Sequence, residues 1–320
     1  MNNITVNLDG IPIEIKRLKI SLKQLILDIE NPRIQYYLDT KLNDNITQEK
    51  IKFALAEGNE QYEKLKDHIE RNGGIYDPIW VVPKDGYYTV VEGNTRAFVY
   101  EELSEKYVND GKWNTIDSYV LPYKINRNVI NFIRLEKHLF GSTPWDAYEK
   151  ARELYRLNTQ EDYSLKRLEQ LTKLSSFELR NNIQAYMDME EQYLKKYDKP
   201  SERLKFSYFV EFRKNKELKK LTKEGKISLL EFCDWVGKGK FKRGEEIRKL
   251  PLVLKDEQSR QALIDDNFQA AIDQLEQKNP AVKSKLFEKI EDVIYDIEAL
   301  PFGELNEIKR GLQPAKIDSL

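Results

Sequence analysis

The chain has 320 residues and only one cysteine, Cys233. A single thiol excludes an intramolecular disulfide and any cysteine-cluster metal site. Two histidines, His68 and His138, are too few for a histidine-rich metal centre. No apolar run approaches the roughly 18 residues of a membrane helix, and no secretory leader pattern is present. The expectation is therefore a cytoplasmic protein with no membrane partner. Net charge is also nearly missing, since 53 basic and 54 acidic residues leave −1. A nucleic-acid role would need a local basic face, because the total supplies none. There is no low-complexity segment and no clear internal repeat.

What is present centres on Tyr87 to Leu103, YYTVVEGNTRAFVYEEL. The β-branched and aromatic start reads as a strand. Gly93 breaks that pattern, and from Ala97 the apolar residues Ala97, Val99, Tyr100 and Leu103 fall at helical spacing. The turn Glu92-Gly93-Asn94-Thr95-Arg96 thus lies where a helix N-terminus leaves free N–H groups beside a fixed cation. That combination suits a phosphate.

Around it the pattern is mixed. Ile4–Leu8 and Ile11–Ile15 alternate about Asp9-Gly10, a hairpin signal. Ser21 to Leu25 reads as a short helix or turn. Gln48–Ala56 and Tyr62–Arg71 read as helices, the second closed by Asn72-Gly73-Gly74. Pro78–Pro83 and Tyr87–Val91 form a second hairpin about Asp85-Gly86, and Val120–Ile125 reads as a further strand. Val129–Phe140 is helical and carries Arg134, Glu136 and His138. Thr143-Pro144-Trp145-Asp146 has the residues that open a helix.

Ser164–Thr172 and Ser175–Tyr186 form a helical pair with a tight joint, and Ser175-x-x-Glu178 is a capping box. Such a pair is either a helix-turn-helix or an ordinary hairpin of a bundle. Arg180, Asn181, Asn182 and Gln184 fall on its second helix and are competent to touch bases or phosphates. Between residues 202 and 249 there are 15 basic and 8 acidic residues, with Arg213 and Lys214 in the densest part. The surplus can attract DNA or simply solvate a helix face. Phe232, Trp235, Val236 and Phe241 read as core, and Cys233 as a buried small hydrophobe. From 255 to 320 the balance reverses to 14 acids against 9 bases. Phe268–Lys278 and Val282–Leu300 there look like amphipathic helices, suited to pairing or regulation.

Four stretches, taken in order, resemble the ParB/sulfiredoxin family of partition proteins. They are Ile29-Glu30-Asn31-Pro32-Arg33, the IERNGGIYDPIWVV segment at 69–82, VEGNTRAF at 91–98, and RLEKHLFGSTPWDAYEKA at 134–151. The resemblance spans roughly residues 15–190. It implies an α+β chain: a small mixed-sheet nucleotide-binding domain at 1–127, a helical domain with a helix-turn-helix at 128–200, and a C-terminal helical domain at 201–320. It further implies a nucleoside triphosphate, CTP or ATP, with Mg²⁺, and DNA as the macromolecular partner; the acidic tail is compatible with a homodimer.

The departures are specific. Partition proteins usually carry Gly-Glu-Arg-Arg where this chain has Gly93-Asn94-Thr95-Arg96. Sulfiredoxins carry Gly-Cys-His-Arg, and Asn94 cannot replace that cysteine. The Glu-Asn-x-Gln-Arg box is not reproduced at Glu136-Lys137-His138. No intact CTPase or sulfiredoxin motif is therefore present. The expected phosphate contacts are Gly93, Asn94, Thr95 and Arg96, surrounded by Arg33, Arg134 and His138. Glu92 and Glu136 are the candidate catalytic carboxylates, with Glu136 also the candidate Mg²⁺ ligand. Two other readings stay open: a nucleotide-dependent kinase or metal-dependent nuclease on the same fold, and a helical interaction scaffold with a vestigial pocket.

Overall fold

Two seven- to eleven-residue strands open the chain, β1 (Asn2–Leu8) and β2 (Ile11–Ser21), paired antiparallel about Asp9-Gly10. Both turn residues take positive φ, 57° and 76°, which the Asp-Gly pair tolerates. The computed structural model describes residues 2–31, 34–35, 46–57, 62–139 and 146–279, with isolated positions between 282 and 297. Contacts divide the chain into two compact units, 1–149 and 150–320.

The first unit holds a six-stranded mixed sheet. After a 3-10 turn at Leu22–Gln24 come β3 (Leu25–Leu27), helix α1 (Gln48–Glu57) and helix α2 (Tyr62–Asn72). Strands β4 (Ile79–Lys84) and β5 (Tyr87–Glu92) follow, then α3 (Asn94–Lys106), β6 (Thr115–Val120) and α4 (Arg127–Leu139). The strand order is β1-β2-β6-β4-β5-β3. β4 pairs parallel with β6 and antiparallel with β5, and β3 joins the far edge parallel to β5.

Alternation along the central strands builds two cores. Ile79, Val81 and Val90 face one side, with Ile51, Leu55, Ile69, Val99 and Leu103 of α1, α2 and α3. Trp80 and Val91 face the other, with Ile13, Ile15 and with Val129 and Ile133 of α4. Helix α4 therefore packs within the sheet unit.

The last strand lies earlier than the apolar run Val120–Ile125 suggests. β6 is Thr115–Val120, with Ile116, Ser118 and Val120 buried on one face. A buried serine in mid-strand hides the alternation, and Ser118 meets its hydroxyl requirement at the Ile116 carbonyl, 3.1 Å away. Pro122, without an N–H, ends the ladder one residue after Leu121.

The second unit is helical. It contains α5 (Ala147–Thr159), within which the division between units falls, then α6 (Leu165–Thr172) and α7 (Ser176–Asp188). A π-turn at Met189–Tyr193 leads on to α8 (Phe206–Lys214), α9 (Lys216–Lys223) and α10 (Leu229–Gly237). α11 (Leu250–Lys255), α12 (Glu257–Asp265) and α13 (Phe268–Lys278) complete it. Its core is aromatic: Phe232 stacks on Phe212 at 4.3 Å and meets Phe209 edge-on at 5.5 Å. Cys233 is buried among these elements, and burial raises its thiol to about 12. The Thr143-Pro144 helix start and more than half of 282–300 lie outside the described residues. Among the described residues no helix is long and apolar enough to cross a membrane.

Candidate functional site

The strand-to-helix turn is closed by backbone geometry rather than by a side-chain cap. Gly93 is the N-cap of α3, with φ 94° and ψ 22°. That left-handed conformation favours glycine, and any Cβ there would collide with Ile79 Cγ2 and Cβ. The helix begins at Asn94, three residues before the apolar periodicity that marks it in sequence. Backbone N–H groups of the first turn consequently sit directly after the strand, as anion binding requires.

Asn94 is turned inward. It is buried, its Nδ2 donates to the Val90 carbonyl at 3.1 Å, and its Oδ1 accepts the Asp28 N–H at 2.8 Å. The side chain therefore pins the Asp28–Asn31 segment to the turn. Thr95 is also buried. Arg96 is largely covered and pairs with Glu92 and with Asp77, the latter at 3.3 Å. It also donates to the Asp77 carbonyl.

Asp77 links the turn to α4, since Lys137 Nζ lies 3.2 Å from the same carboxylate. Arg134, one turn before Lys137, is 5% exposed and pairs with Asp28, and with Glu30 at 3.3 Å. Arg127 reaches Glu30 at 3.2 Å. Burial pushes the Asp28 carboxyl up, against the pull of Arg134. Burial also pushes on Glu30, but Arg134 and Arg127 outweigh it and hold that carboxyl below its ordinary range.

Three segments far apart in sequence thus meet: Asp28–Asn31, the turn at 92–96, and the inner face of α4. Four cations (Arg96, Arg127, Arg134, Lys137) face four carboxylates (Asp28, Glu30, Asp77, Glu92), so the cluster is balanced. Carboxylates of Asp77 and Glu92 occupy the two terminal nitrogens of Arg96.

Of the residues singled out from sequence, Gly93, Asn94, Thr95, Arg96 and Arg134 come together here. Glu136 lies on the exposed face of α4. Arg33 and the His138 side chain lie outside the described residues. Among the described residues no group of three or more His, Cys, Asp or Glu converges as a metal site. Asp28, Glu30, Asp77 and Arg127 were not singled out, although Asp28 and Glu30 adjoin the Asn31-Pro32-Arg33 stretch.

In the helical unit, α6 ends at Thr172 and α7 begins at Ser176, with Lys173 at φ 61° between them. Both halves of the capping box are made: Ser175 Oγ accepts the Glu178 N–H at 3.2 Å, and Glu178 accepts the Ser175 N–H at 2.9 Å. On α7, Arg180 is exposed and Asn181 is buried. Asn182 donates to the Glu178 carbonyl at 2.8 Å, and Gln184 donates to Asp188 at 3.1 Å. Arg213, at the end of α8, forks onto the Asp188 carboxylate. Lys214 beside it is partly exposed.

No protein-family model matches the chain, and no curated protein matches it in sequence. Among solved structures, it is similar to C-terminally truncated chromosome-partitioning protein ParB from Caulobacter crescentus complexed to the centromeric parS site. The identity is 13% and the TM-score 0.36, over 69% of this chain and 99% of that one. It is also similar to the same truncated ParB complexed with CTP-gamma-S, at 13% identity and TM-score 0.26, over 65% of this chain and 98% of that one.

Proposed function

We propose that this chain is a ParB-like DNA-binding protein in which a nucleotide or phosphate pocket switches DNA engagement. The observation that carries this reading is the convergence of three sequence-distant segments: Asp28–Asn31, the Gly93–Arg96 turn, and Arg134 on α4. These are the stretches that resemble the ParB family in sequence. Phosphate oxygens would lie against the first turn of α3 and be clamped by Arg96. CTP or ATP with Mg²⁺ is the ligand class. The α6–α7 pair acts as a helix-turn-helix, with Arg180 the side chain of that set most open to a phosphate or base edge. Arg213 and Lys214, in the basic stretch, add backbone attraction.

The test titrates labelled CTP, ATP and GTP into the full chain, with and without Mg²⁺ and duplex DNA. Saturable binding of one nucleotide, lost in Arg96→Ala and accompanied by a change in DNA affinity, is the expected result. Absence of nucleotide binding together with wild-type DNA affinity in Arg96→Ala removes the switch. A DNA affinity that does not fall with salt removes the DNA role. Turnover lost in Glu92→Gln or Glu136→Gln would move the chain to the enzyme reading.

A further inference from the structure

A cavity of about 320 Å³ opens in the helical unit, away from the Gly93 turn in sequence. Leu165, Arg180, Asn181, Ile183, Arg213 and Lys219 are among its lining residues. Its charge is uneven. The Arg213 fork neutralises Asp188, which also accepts from Gln184. Among the described residues no carboxylate pairs with Lys219; its Nζ donates to Asn181 Oδ1 at 3.2 Å and lies 5.5 Å from the Phe177 ring centre. Among the described residues Arg180 donates only to its own helix, at the Ser176 carbonyl 3.3 Å away. Two cations therefore face the cavity without a counter-ion.

Asn181 supplies an independent observation. The residue is 5% exposed, and its Nδ2 has no hydrogen-bond partner. The lysine donor fixes which end of the amide is oxygen, so the unpaired end is the donor. A buried unpaired donor is destabilising unless a ligand satisfies it. Burial pulls the Lys219 ammonium down, and Arg213 and Lys216 add to this. An anion reverses that penalty. Leu165 and Ile183 give the same cavity apolar wall, which a bare ion does not need.

We propose that this cavity binds a small phosphorylated molecule, its phosphoryl group held by Arg180, Lys219 and Asn181 Nδ2 and its organic part against Leu165 and Ile183. The site is separate from the nucleotide reading of the Gly93 turn. It lies on the helix proposed to engage DNA, so a strand phosphate is the other source of the same anion.

The experiment follows the side-chain amide resonances of the full chain during titration with inorganic phosphate, a nucleoside monophosphate and the unphosphorylated nucleoside. The expected result is a saturable shift of the Asn181 amide with the monophosphate. Phosphate alone should bind more weakly, and the nucleoside should give no shift. Lys219→Gln and Arg180→Gln should each weaken binding by about tenfold or more, as loss of a charged hydrogen bond predicts. Arg96→Ala should leave it unchanged, which separates this cavity from the first site. No Asn181 shift up to millimolar ligand, or wild-type affinity in both variants, overturns the proposal. Reduced duplex affinity in both variants with no monophosphate binding assigns the cavity to DNA and also overturns it.

Discussion

Arg96 and Glu92, four residues apart, form an ion pair across the strand-to-helix turn, with the two side chains only 14% and 12% exposed. The residue proposed to hold a phosphate is therefore already held by a carboxylate. That pairing orients the guanidinium and balances its charge, so under the proposed function ligand binding is an exchange of one anion for another.

Glu92→Gln removes the competing charge and keeps the shape. Phosphate or nucleotide affinity at the turn should rise several-fold, by the ~1 kcal/mol scale of a partly exposed pair. Equilibrium dialysis with labelled nucleotide measures this. A weaker affinity would mean that Glu92 positions Arg96 more than it competes for it.

Gly93→Ala places a Cβ on a backbone at φ 94° and against Ile79. Left-handed strain of roughly 1–2 kcal/mol and overpacking of roughly 1–3 kcal/mol add to a destabilisation of about 2–5 kcal/mol. Urea denaturation should show the midpoint falling. An unchanged midpoint would show that the turn relaxes without loss.

Arg134→Met leaves Asp28 buried with no cation. The expected destabilisation is about 3–5 kcal/mol, and Asp28→Asn in the same chain should recover a large part of it. A double-mutant cycle by denaturation gives the coupling. Additive losses would mean that the two side chains act independently despite their contact.

Asp256 caps α12 through the Ser259 N–H at 2.8 Å and Oγ at 2.7 Å, and pairs with Lys278 at the end of α13. Lys278 and the Ser259 contacts hold its carboxyl at about 2, below the ordinary 3.8. A depressed folded-state value contributes stability above the unfolded value, and that contribution is lost as pH falls through about 2. Amide exchange of α12 and α13 should quicken over that acid window in the wild type. Asp256→Asn should already exchange faster at neutral pH and change less on acidification. An identical pH response in the two proteins would dismiss the role of Asp256.

Local signals carried the parts of the fold that depend on neighbours. Asp9-Gly10 and Asp85-Gly86 marked both hairpins, and Ser175-x-x-Glu178 marked the start of α7. Phe232 and Trp235 were legible as core because apolar bulk at helical spacing has few other uses. β6 was not legible, because Ser118 occupies a core position that only the assembled sheet buries. Asn94 reads as a phosphate contact in sequence, and its side chain bonds the Asp28 N–H and the Val90 carbonyl. No pattern within one stretch shows that a backbone N–H 66 residues away will meet that side chain.

By itself the sequence determined turn chemistry, helix caps, the apolar periods, and the presence of a glycine followed by Arg96. These depend on contacts within a few residues, where spacing dictates geometry. The strand order, the carboxylate partners of Arg96 and Arg134, and the cavity beside Asn181 were decided only by the tertiary structure. Each of them arises from competition among distant groups for burial and for charge, and that competition is resolved only once the chain has folded.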